Sequence, residues 1–98
     1  MATGIQLDAM LVRTPNVCGG RLHIDGTRVT VLQIATLYKR GETPEEMAQN
    51  FPQLNLSQVY AALAYYHANR PEVEQELADE QAEFDRLKSQ HAQTPKSP

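Results

Sequence analysis

Apolar positions recur along the chain in different rhythms, and each rhythm predicts a different kind of element. Between Val31 and Lys39 they fall at Val31, Ile34, Ala35 and Tyr38, the i, i+3, i+4, i+7 spacing of one helix face, with Leu32 and Leu37 widening it. Thr30 stands ahead of this helix as N-cap, and Gly41 follows Lys39-Arg40 as a stop. Thr43-Pro44-Glu45-Glu46 opens a second helix: the hydroxyl can accept from a free backbone N–H, proline suits the first helical position, and Glu46 completes a capping box. Met47, Ala48 and Phe51 give that short helix an apolar side, and Pro52 ends it. After Gln53-Leu54-Asn55-Leu56, Ser57 is expected to cap a third helix reaching Asn69, with Val59, Ala62, Leu63 and Tyr66 as its buried stripe. Pro71 disfavours a helical Arg70, so a bend is expected there. A fourth helix then runs toward Gln90 with Val73, Leu77, Phe84 and Leu87 on roughly one side.

The N-terminal stretch reads differently. Met10-Leu11-Val12-Arg13 suits a short strand, and Leu22-His23-Ile24 and Thr27-Arg28-Val29 flank an Asp25-Gly26 pair. Glycine tolerates the positive φ of a tight primed turn, so a β-hairpin is predicted from Leu22 to Val31. A lone hairpin is marginal in water and must pack on something. The predicted fold is mainly α: a helix-turn-helix core, an N-terminal β-hairpin and a long C-terminal helix. The boundaries expected are 1–70 for the hairpin and three helices, 71–91 for an acidic amphipathic helix, and 92–98 for a disordered tail.

Composition narrows the class. At 98 residues, 41% hydrophobic and 21% charged, the chain supports one globular domain. No apolar run approaches a membrane span, and the first residues lack a basic region followed by an apolar stretch. Cys18 is the only cysteine, which excludes an internal disulfide and suits a reducing, cytoplasmic setting. Charge is unevenly spread: residues 1–70 sum to +1 and residues 71–98 to −4. That polarity suits a basic partner for the C-terminal segment, although a solvated acidic helix face is the commoner explanation.

The second and third helices have the spacing of a helix-turn-helix, whose second helix can enter a DNA major groove. On the third helix Ser57, Gln58, Tyr60 and Ala61 are the candidates to face bases, while Arg21, Arg28, Lys39 and Arg40 are the candidates to hold phosphate. Yet residues 57–69 contain no Lys or Arg, and phosphate neutralisation supplies much of the affinity for DNA. Small residues beside tyrosines suit a protein contact equally well. Catalysis finds little support. His23, His67 and His91 lack metal-ligand spacing to one another or to Cys18, and Gly19-Gly20-Arg21 is not followed by the elements of a phosphate loop. The chain is expected to be no enzyme and to use no metal, cofactor or small-molecule substrate. The last helix, if complete, is too long for a core of short helices to cover. Val73, Leu77, Glu80, Phe84 and Leu87 are therefore candidates to bind a partner chain. The under-stranded hairpin and the overhanging helix together suggest a homodimer.

Thr14-Pro15-Asn16-Val17-Cys18-Gly19-Gly20-Arg21, Ile24-Asp25-Gly26-Thr27-Arg28-Val29, Gly41-Glu42-Thr43-Pro44-Glu45-Glu46, Phe51-Pro52-Gln53-Leu54 and Val59-Tyr60-Ala61-Ala62-Leu63-Ala64-Tyr65 together resemble domain-of-unknown-function family 433. The resemblance runs from about Met10 to Glu76. Thr30 stands where the family usually has proline, and Met47-Ala48 replace a more aliphatic pair. The resemblance implies a homeodomain-like helical fold, also described as winged-helix-like, and an antitoxin of a type II toxin–antitoxin pair, commonly encoded beside a PIN-like nuclease toxin. On this view the C-terminal helix blocks the toxin and a dimeric body binds double-stranded operator DNA. The alternatives are a DNA-binding regulator without a toxin, and a protein-interaction adaptor whose helix-turn-helix shape is vestigial.

Overall fold

The structure, a computed structural model, describes residues 7–93. Residues 94–98 of the expected tail, and the first six residues, on which the expected absence of a leader rests, lie outside the described residues, whereas residues 92 and 93 belong to the last helix.

A 3-10 turn at Leu7–Met10 leads into strand β1 (Leu11–Arg13), which pairs antiparallel with β2 (Leu22–Ile24) in the register Leu11 to Ile24 and Arg13 to Leu22. The hairpin is thus present, but the partner of Leu22–Ile24 is the strand before it. The Asp25-Gly26 turn forms and adds only an isolated bridge between His23 and Thr30. Turn geometry explains the difference. Gly26 has φ +79° while Asp25 is not among the positive-φ residues, so the turn is of type II, not a primed turn. Unprimed turns splay the flanking strands. The Thr27 hydroxyl reinforces the arrangement by donating to the Ile24 carbonyl (2.8 Å) and accepting from the Val29 N–H (3.0 Å).

Helix α1 (Val31–Lys39) starts at Thr30, whose hydroxyl accepts from the Gln33 N–H while the Gln33 side chain accepts from the Thr30 N–H at 2.8 Å. A full capping box therefore stands at Thr30. Gly41, at φ +95°, follows the helix as its stop. Helix α2 (Pro44–Asn50) begins with the predicted Thr43–Glu46 box. Helix α3 (Leu56–Ala68) is capped by Asn55 and not by Ser57. The Asn55 carboxamide accepts from the Gln58 N–H (2.9 Å), the Gln58 side chain accepts from the Asn55 N–H (2.8 Å), and Ser57 Oγ donates to Asn55 Oδ1 (2.6 Å). Asparagine caps at least as well as serine, and only the earlier start gives the Gln a backbone partner. The chain bends at Asn69, and α4 (Arg70–Gln93) continues for 24 residues, about 36 Å at the usual helical rise.

Helix α1 divides the interior. On one side Val31 and Ile34 pack with Ile24, Val29, Met47, Leu54, Val59, Ala62 and Leu63, which joins the hairpin to the helix-turn-helix. On the other, Leu32 and Ala35 pack with Tyr66 and Val73, with Leu77 at the margin. The second cluster contains the beginning of α4, so the packed unit does not end at residue 70. The whole measures 68 × 28 × 25 Å, because α4 continues past everything it packs on.

Candidate interaction surfaces

Three carboxylate contacts fix where α4 lies. Glu74 Oε1 accepts from Lys39 Nζ at 2.7 Å, and its other oxygen accepts from the Tyr66 hydroxyl at 2.5 Å. Helices α1, α3 and α4 thus meet at one carboxylate. The hydrogen bond from Lys39, then that from Tyr66, holds the Glu74 carboxyl below the usual carboxylate range. The same carboxylate, before any effect of burial, raises the Tyr66 phenol. It is also the first cause of the rise at Lys39. Tyr66 is fully buried, with the Arg70 guanidinium 5.3 Å from its ring centroid and the Tyr38 and His67 rings set at its edges. The third contact pairs Arg21 Nε, in the loop between β1 and β2, with Glu80 at 2.6 Å.

These contacts rearrange the surfaces expected from sequence. Of the four cations assigned to phosphate, Arg21 and Lys39 are ion-paired with α4, whereas Arg28 and Arg40 are exposed and have no ion-pair partner among the described residues. Of the four side chains assigned to bases, Ala61 is buried, which corrects its placement on the reading face. Gln58 and Ser57 are engaged in the Asn55 cap. Tyr60 alone of the four is substantially exposed, at 47%. Helix α3 turns its only wide apolar stripe inward, and Ala61 sits at the edge of that stripe.

The partner-binding candidates separate into two groups. Val73 is buried against Leu32, Ala35 and Tyr66, so it is a core residue of this chain and not an anchor for another. Leu77 is half-buried on the same cluster, and Glu80 is engaged by Arg21. Phe84 and Leu87 are 59% and 50% exposed on the projecting part of the helix. Where that part leaves the body, an open groove of about 470 Å³ forms between Arg21 and Leu32 on one side and Glu76, Glu80, Phe84 and Leu87 on the other. Further along, Glu83 pairs with Arg86 within the helix. The Glu74 and Glu80 contacts have no local sign in the sequence, because each joins α4 to a distant segment.

His23 is buried with both ring nitrogens engaged. Since the Ile24 carbonyl can only accept, Nδ1 donates to it (3.1 Å), and Nε2 accepts from the Thr14 hydroxyl (3.0 Å). Cys18 Sγ donates to the Arg28 carbonyl. Among the described residues no group of three or more His, Cys, Asp or Glu side chains converges as for a metal, and no helix is long and apolar enough to cross a membrane.

Comparison with known proteins gives a family. No curated protein matches the chain. The crystal structure of a DUF433 member protein from Anabaena variabilis is 32% identical, with a TM-score of 0.66 over 74% of this chain and 71% of that one. The family model described as a protein of unknown function, DUF433, matches residues 11–66, from the first strand to the buried Tyr66. More than half of the chain is matched, and it belongs to the DUF433 family.

Proposed function

We propose that this chain is a protein-binding module of the antitoxin kind, whose projecting helix captures a second protein. One observation carries the reading: α4 continues beyond the body with Phe84 and Leu87 exposed and with carboxylates around them. Large apolar side chains grouped on one projecting helix face offer a surface that another chain can cover, and aromatic anchors dominate such contacts. The partner suited to this helix has an apolar cleft within a basic rim. A PIN-like nuclease, the toxin class implied by the family resemblance, needs a basic RNA-binding surface, and that surface would complement the carboxylates of this helix. Repression through DNA is the weaker reading. Helix α3 has no cation, its Gln58 is used in a cap, and two of the four candidate phosphate cations are neutralised by α4.

The test is co-expression with the protein encoded next door, followed by pull-down and a growth assay, comparing the full chain with a form ending at Gln81. That form keeps Val73, Glu74, Leu77 and Glu80, and with them the packing on α1 and α3; a cut after Arg70 would instead strip the cover from Leu32, Ala35 and Tyr66. The full chain should capture and neutralise its neighbour, and the shortened one should not. Equal capture by both forms would remove α4 from the mechanism, and capture by neither would remove the antitoxin reading.

A further inference from the structure

The large apolar side chains of α4 follow one seam. Val73, Leu77, Phe84 and Leu87, with the carboxylate Glu80 in their midst, alternate in steps of four and three, the spacing that keeps a single stripe facing a neighbour along a helix. The body covers the beginning of this stripe: Val73 is buried, Leu77 half-buried, and Glu80 is met by Arg21. From Gln81 onward the same stripe continues beyond the body, and Phe84 and Leu87 are exposed among the described residues. Whatever covers them lies on the same side of the helix as the body and must end where the body begins.

We infer that the occupant is a second copy of this chain, its distal α4 laid antiparallel on the first. Charge selects both the partner and the direction. Residues 78–85 hold Asp79, Glu80, Glu83 and Asp85 and no base, whereas residues 86–93 hold Arg86 and Lys88 and no acid. A parallel pair sets four carboxylates beside four and base beside base. It also drives the second helix into the body at Val73 and Leu77. The antiparallel pair places 86–93 of each copy beside 78–85 of the other, so each basic end lies along an acidic shoulder. In that register Phe84 of each copy meets Leu87 of the other, giving two identical apolar layers about the two-fold axis. The end of each helix then reaches the groove between Arg21, Leu32 and Glu76, where the other body begins. This deepens the proposed function and rests on the same projecting helix: the second copy shields Phe84 and Leu87 until a captured protein takes its place. The contact joins only a few helical turns, at the small end of specific interfaces, so the dimer dissociates in the micromolar range.

The experiment uses the purified full chain with no other protein present, which separates it from the capture test above. Sedimentation equilibrium should show a concentration-dependent monomer–dimer equilibrium. Phe84→Glu and, separately, Leu87→Glu should each weaken association at least tenfold, with helix content by circular dichroism unchanged because neither side chain belongs to the core. Spin labels at the exposed Gln75 should lie beyond about 30 Å from each other in the antiparallel dimer and within about 20 Å in a parallel one. A monomer throughout the micromolar range overturns the inference, as does a dimer indifferent to both substitutions. Labels found close together overturn the antiparallel arrangement. Capture of a neighbouring protein by a chain that never dimerises would leave the proposed function standing and remove this inference alone.

Discussion

The two halves of α4 are written in nearly the same alphabet and meet opposite fates. From Arg70 to Glu80 the helix offers Val73 and Leu77 among five carboxylates, and from Gln81 to Gln93 it offers Phe84 and Leu87 among charges of both signs. The first half is seated: Val73 is 1% exposed, and Glu74 and Glu80 accept from Tyr66, Lys39 and Arg21. The second half contains the larger apolar side chains and leaves them exposed. An amphipathic pattern therefore states that a face can be covered and is silent on what covers it. The decision belongs to the body, whose α1 presents Leu32 and Ala35 along a length that accommodates about three turns of helix and no more.

The sharpest way to break this contrast is to truncate one residue from each half. Val73→Ala should lower the unfolding free energy by about 2 kcal/mol, since methyl groups leave a filled cluster. Phe84→Ala removes far more apolar surface. Measured at concentrations low enough to keep the chain monomeric, it should nevertheless change stability by less than about 0.5 kcal/mol, as other exposed sites do. Urea unfolding of both variants checks this, and a larger loss from Phe84→Ala would mean that the distal half packs on its own body.

A cap within the body provides the yardstick for that comparison. Asn55→Ala should cost about 1 kcal/mol, because two backbone N–H groups of α3 depend on the Asn55–Gln58 box, while Ser57→Ala should stay within a few tenths. If Ser57→Ala proves the more damaging, α3 begins later than the structure places it.

This cap also marks where the sequence could be read and where it could not. Helices α1 and α2, their N-caps at Thr30 and Thr43, the stop at Gly41 and the buried stripe of Val59, Ala62, Leu63 and Tyr66 are local patterns, and each was legible. Asn55 is not distinguishable from Ser57 as a cap by residue type, and only the reciprocal bond with Gln58 decides between them. The pairing of Leu22–Ile24 with Leu11–Arg13 depends on the φ of Asp25, which an Asp-Gly dipeptide leaves open. The surfaces were the least legible. Ala61 and Val73 lie at the margins of apolar stripes, and which side of a margin is buried is set by the crossing of helices. Nothing near Glu74 in sequence announces Lys39 or Tyr66.

Acid should loosen the seated half before it affects the rest. The Glu74 carboxyl is held below its ordinary 4.5, so its contribution is complete above that value and is lost as pH falls through the lowered one. Lys39 and Tyr66 have the opposite sign. Their pKa values are raised from 10.5 and 10.0, so the stability they contribute is complete below those values and is lost as pH rises through the raised ones. Unfolding midpoints should accordingly hold a plateau through neutral pH and fall at both ends. Glu74→Gln should lower the plateau and flatten the acid limb, and an acid limb unchanged by that substitution would assign it to other carboxylates. Among the described residues the distal half shows no such carboxylate contact to the body, and its own pair, Glu83 with Arg86, holds the Glu83 carboxyl below its ordinary range, so its amide exchange should respond to acid through that pair and the chemistry of exchange itself, and not through Glu74.

The smallest effect lies at the junction of the two halves. Arg21 and Glu80 form the last contact before the helix leaves the body, but both side chains keep more than a third of their surface in solvent, at 46% and 41%. An ion pair so exposed contributes about 0.5 kcal/mol or less and is screened by salt. Arg21→Ala should therefore leave global stability almost unchanged, and any difference from the parent should vanish in molar salt. Its local effect should be easier to see. Loss of the contact moves the point of departure back toward Leu77, and amides around Glu80 should exchange faster while those around Val73 do not. If instead the amides around Val73 are released with those around Glu80, the seated half is held at its end by the Arg21 contact and not by the packing of Val73 and Leu77.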